Sequence, residues 1–84
     1  MNRQELKNRL QVSAVHPRSF HIGDDWSSET DIWCLIETGY SFEICYVERG
    51  KKVAVLKSFA DESTACEAYY GHIMSIQHEY PNAS

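Results

Sequence analysis

The sequence is short of several things, and each shortage narrows what this chain of 84 residues can be. No apolar run approaches the roughly eighteen residues that a membrane-spanning helix needs, and the charged opening MNRQELKNRL does not resemble a signal peptide. A cytoplasmic location without a membrane partner is therefore expected. Cysteine is limited to Cys34, Cys45 and Cys66, an odd count without a C-x-x-C pair, so neither a disulfide framework nor a zinc site is indicated. These thiols are read as small buried hydrophobes. No glycine-rich phosphate loop occurs, and His16, His21, His72 and His78 follow no metal-ligand spacing. No cofactor and no metal are expected.

Bases are also scarce: eight lysines and arginines stand against twelve acids, a net charge of −4. Repulsion from phosphate disfavours direct contact with nucleic acid. Catalysis is not indicated either. A cysteine nucleophile needs an electropositive setting that lowers its pKa, whereas all three cysteines lie on apolar stripes.

What is present describes one α+β domain over residues 1–84, since halves of so short a chain could not each bury a core. Good helix formers fill the start, and Leu6 and Leu10 share a face, which predicts a short helix over about 2–11. His16-Pro17 stops it, and Ser19 to Ile22 has the composition of a short strand.

Residues 31–59 read as an antiparallel meander of three strands, or four with the short one. A two-residue loop at Gly39-Tyr40 sets Trp33 opposite Tyr46, Cys34 opposite Cys45 and Leu35 opposite Ile44. A second turn at Gly50-Lys51 would set Glu48 opposite Val53, Tyr46 opposite Val55 and Cys45 opposite Leu56. Because side chains alternate, one face then carries Ile32, Cys34, Ile36, Cys45, Val47, Ala54 and Leu56, suited to helix packing. The other mixes Trp33, Phe42 and Tyr46 with charge, as a partner-binding face does. A bulge would exchange the faces beyond it.

The end of the chain predicts an amphipathic helix over about 61–79, with Asp61 as N-cap and Cys66, Tyr69, Ile73, Ile76 and Tyr80 on its apolar stripe. Gly71 interrupts that helix, a choice that close approach of a strand would explain.

Two groups invite a functional reading. Asp24, Asp25, Glu29 and Asp31 surround Trp26 with no base among them, an acidic rim with an aromatic anchor of the kind that captures a basic protein. Tyr40, at a turn tip, is a second possible anchor. The other group is Glu48-Arg49-Gly50, where the glycine supplies the backbone freedom a hairpin needs.

Tyr46, Glu48, Arg49 and Gly50, followed by Phe59, Asp61, Glu62, Ala65 and Cys66, form a pattern that resembles one in small bacterial immunity proteins. Those proteins protect cells from polymorphic or contact-dependent growth inhibition toxins. The likeness runs from Ile32 to Ile73, about half the chain. It implies a non-enzymatic antitoxin that binds one cognate toxin domain, often a nuclease, by stoichiometric occlusion. It also implies that the motif is scaffold, with Arg49 pairing an acid such as Glu62, while Asp24, Asp25, Trp26, Glu29, Asp31 and Tyr40 make the toxin contacts. The free chain would be a monomer. The alternative is a homodimeric regulatory or adaptor domain that pairs through the aromatic sheet face.

Overall fold

The structure, a computed structural model, describes residues 1–23 and 25–79. Helix α1 spans Arg3–Val12 and opens on a capping box, in which Asn2 and Glu5 each accept from the other's backbone N–H. Its Leu6 and Leu10 are fully buried. A 3-10 turn at Pro17–Ser19 follows, held by the Arg18 N–H donating to His16 Nδ1 at 3.0 Å. The strands are β1 (His21–Ile22), β2 (Ile32–Glu37), β3 (Phe42–Glu48) and β4 (Lys51–Phe59), and helix α2 spans Glu62–Glu79. Asp61 caps α2, accepting from the Thr64 N–H at 2.8 Å and from its hydroxyl at 3.0 Å.

The α+β class holds, and the strand order is β1-β2-β3-β4. β2, β3 and β4 form the antiparallel meander, but β1 joins parallel to β2, with His21 beside Cys34, so the sheet is mixed. The β2–β3 register is the expected one, from Ile32 opposite Val47 through Cys34 opposite Cys45 to Glu37 opposite Phe42. Thr38 and Ser41 close that hairpin through a backbone hydrogen bond of 2.7 Å.

The second hairpin corrects the expected register. Arg49 and Gly50, not Gly50 and Lys51, form the turn, because both adopt left-handed backbone, φ 56° and φ 73°, as a primed hairpin turn requires. Glu48 therefore faces Lys51. Two irregularities, between Tyr46 and Val47 and between Ile44 and Cys45 on β3, leave Val53 and Leu56 as unpaired residues of β4. Tyr46 thus faces Ala54 and Cys45 faces Val55, while from Ile44, opposite Lys57, the pairing rejoins the expected register.

The helices also lie on the opposite face from the one expected. Leu6, Leu10, Phe20, Cys66, Tyr69 and Ile73 pack with Leu35 and Ile44, and Trp33, Phe42 and Phe59 border this core. These bulky side chains offer the helices more apolar area per residue than the small Cys34, Cys45 and Val47 on the other side. The aliphatic face forms its own buried cluster, Ile32, Cys34, Ile36, Cys45 and Val47, with Trp26 packed against it. Gly71 is exposed, and apart from its own helix backbone no described neighbour lies within 4 Å of where its Cβ would be; no close strand explains it. Tyr80, expected on the helix stripe, lies outside the described residues.

Candidate functional site

The segment from Asp25 to Asp31 lies at one end of the sheet and is pinned there by the β3–β4 turn. The Gly50 N–H donates to the Glu29 carbonyl at 2.8 Å, and the Arg49 N–H donates to Thr30 Oγ1 at 3.0 Å. A Cβ on Gly50 would collide with the Ser27 carbonyl oxygen. Glu29 is held further by His21, with Nδ1 and Oε1 3.2 Å apart, and Ser27 Oγ donates to Asp25 Oδ1 at 3.1 Å. The glycine of the Glu48-Arg49-Gly50 motif therefore serves two ends: it makes the turn, and it lets the loop press against it.

Asp25 and Asp31 are exposed, whereas Trp26 and Glu29 are half-buried. Asp31 holds φ 54°, in a region that Asp enters more readily than most residues. Asp31 and Glu48 both lie near the Tyr46 phenol, whose pKa is raised first by burial and then by these two carboxylates. The expected contact residues Asp25, Trp26, Glu29 and Asp31 thus share one end of the molecule, and Asp24 lies outside the described residues. Tyr40 is 98% exposed but sits beyond the other end of β2, about 20 Å away at the usual rise per strand residue. It belongs to a different surface.

Two features of this end were not legible in the sequence. The hairpin sets Arg49 against Thr30, between Glu29 and Asp31 in the chain, and Lys51 opposite Glu48, so basic residues share this end with the acids. Trp26 also covers the small aliphatic cluster as well as bordering solvent, so it is partly core. Two open clefts adjoin this end, one of ≈ 250 Å³ lined by Arg18, Asp31, Trp33, Ile73 and Ile76 and one of ≈ 450 Å³ lined by Arg18, Ser28, Glu29, Thr30 and Ile32; the second lies within the roughly 300 to 1,000 Å³ usual for small-molecule sites.

The motif residues occupy scaffold positions. Phe59 borders the main core, Ala65 and Cys66 are buried in it, and Asp61 is the α2 cap. Glu62 does not pair with Arg49. It accepts from the Arg3 backbone N–H at 2.9 Å and from Arg3 Nε at 3.2 Å, joining the two helix starts. Arg3 also reaches Glu37 at 3.3 Å, and its guanidinium lies 5.5 Å from the centre of the Phe42 ring.

All three thiols are free and buried. Burial pushes the Cys34 thiol up to about 12, with Cys45 and then Glu29 adding to it, and burial likewise raises Cys45 and Cys66. This is the direction opposite to that of an activated nucleophile. Among the described residues no three His, Cys, Asp or Glu side chains gather as a metal site, and no helix is long and apolar enough to cross a membrane. Compared with known protein families, curated proteins and solved structures, the chain matches none.

Proposed function

We propose that this chain is an immunity protein that neutralises a cognate bacterial toxin domain by forming a one-to-one complex with it. The observation that carries the reading is the pinned loop. Asp25, Asp31 and the edge of Trp26 stand at the surface on a segment fixed by Gly50, Arg49 and His21, and a preorganised segment loses little entropy on binding. Arg49 and Lys51 beside those acids favour a partner that matches both signs of charge, which gives specificity and register as well as attraction. The overall charge of −4 favours a partner that is basic on balance, as a nuclease domain is. Location in the cytoplasm, where a toxin would act, belongs to this same proposal.

The homodimeric adaptor alternative, with pairing through the aromatic face, has less support, because much of that face is shared with the helices. Trp33 and Phe42 border the core beneath the helices.

Co-expression with the C-terminal domain of any large exported protein encoded next to this chain tests the proposal. The expected result is a salt-sensitive one-to-one complex and rescue of growth. Both should be lost on changing Asp25→Lys together with Asp31→Asn, a pair that respects the left-handed backbone at Asp31. A toxin domain that neither binds nor is neutralised would sink the proposal.

A further inference from the structure

β4 is an edge strand of nine residues, Lys51–Phe59, and all of them except Phe59 are exposed. Val53, Val55 and Leu56 are 55%, 48% and 51% exposed. The buried helical core reaches the strand at Phe59, so the middle of the strand is only half-covered. Along its outer side no described strand pairs with it. Proteins usually guard such an edge with lysines and bulges. Here the lysines stand toward the ends, and the two residues left unpaired by the bulges, Val53 and Leu56, are themselves apolar and half-exposed. The guard therefore leaves the centre open.

We infer that β4 pairs antiparallel with β4 of a second copy, about a two-fold axis near Leu56, joining the two sheets edge to edge. The sequence of the strand is self-complementary in that register. Lys51 at its start meets Asp61 just past the partner's end, Val53 lies beside Phe59, Val55 lies beside Lys57, and Leu56 faces Leu56. With Ala54 on the axis instead, Lys51 would face Lys57 and like charges would oppose each other. The lysines thus disfavour a register centred on Ala54 rather than prevent pairing. This also gives Lys51 a use, since it meets an acid at the far end of a copy of itself, while Lys52 is held within its own sheet by Glu43 at 3.0 Å. One added strand is a small interface against the roughly 800 Å² per partner of a tight complex, so the dimer is a weak one that depends on concentration. The inference departs from the monomer expected from sequence and does not depend on the toxin reading.

Sedimentation velocity on the full chain, from about 1 µM to about 500 µM, should show the 9.7 kDa monomer passing to a dimer. Leu56→Lys should weaken the dimer at least about tenfold with unchanged circular dichroism and thermal unfolding. Leu56→Cys should form a symmetric disulfide-linked dimer under mild oxidation, and Lys52→Cys, away from the axis, should not. A monomer at every concentration, or a dimer indifferent to Leu56→Lys, overturns self-pairing. So does a monomeric wild type whose Leu56→Lys variant loses a toxin complex, because the edge would then belong to the toxin.

Discussion

The hydroxyl of Tyr69 donates to the Trp33 carbonyl at 2.6 Å and accepts the His21 N–H at 3.2 Å. One buried side chain of α2 thus satisfies backbone groups on both β1 and β2, where the parallel strand joins the meander. Burial raises the pKa of this phenol, so it stays protonated and able to donate. Tyr69→Phe removes the hydroxyl and leaves both backbone groups without their partner, which should cost about 1 to 3 kcal/mol. Urea unfolding should show a lowered midpoint with an unchanged slope; an unchanged midpoint would mean that the two groups find other partners.

Two glycines should respond in opposite directions to alanine. Gly71 is exposed within α2 with nothing near its Cβ position, so Gly71→Ala should stabilise the protein by about 1 kcal/mol through helix propensity alone. Gly50 holds φ 73° against the Ser27 carbonyl, so Gly50→Ala should destabilise it by about 1 to 3 kcal/mol. Thermal unfolding of the pair checks both signs in one experiment.

Much of the fold was legible because it rests on local rules. The pairing of β2 with β3 follows from a two-residue loop at Gly39-Tyr40, and the α2 cap follows from Asp61 before an apolar stripe. The β3–β4 turn was not legible because Arg49 takes a left-handed backbone that a bulky residue rarely adopts, and its N–H is held there by Thr30, nineteen positions earlier. The covered face was misread for a different reason. Alternation divides a strand into two sets of side chains but does not say which set a helix will choose. Trp33, Leu35, Phe42 and Ile44 give the helices the larger surface, and Trp26 returns to close the smaller one. The candidate loop was recognisable from its acids, but Arg49 and Lys51 reach it only through the hairpin.

Trp26 has two attachments, to the cluster of Cys34, Cys45 and Val47 beneath it and to solvent above. Trp26→Ala should therefore lower stability by about 2 kcal/mol, less than the roughly 3 to 5 kcal/mol of a fully buried aromatic. A stability loss below the error of the denaturation experiment would show that the aliphatic cluster closes without it. Any loss of toxin affinity in this variant must be measured where the variant remains folded, and for that reason Asp25 and Asp31 are the cleaner probes of the contact surface.

Acid should destabilise the protein in two separate windows. His72 packs edge-on against Trp33, with ring centres 4.6 Å apart, and burial lowers its pKa from the ordinary 6.5. The unfolded chain then takes up a proton at that position more readily than the folded one. Stability should be complete above pH 6.5 and fall as pH drops below it, until the folded imidazole is protonated as well. Asp61 and Glu62 have depressed pKa values, the first because the Thr64 N–H and hydroxyl donate to it, the second because the Arg3 N–H and guanidinium do. Their contribution is present above the ordinary carboxylate range and is lost as pH falls through the folded values, so the second fall begins near pH 4. Unfolding free energy measured from neutral pH down to strong acid should show both. His72→Gln should remove the upper fall and leave the lower, whereas Asp61→Asn, which keeps a capping side chain, should reduce the lower fall alone. A single transition near pH 4 that His72→Gln does not alter would mean that the histidine titrates alike in both states, and that its contact with Trp33 does not exclude water.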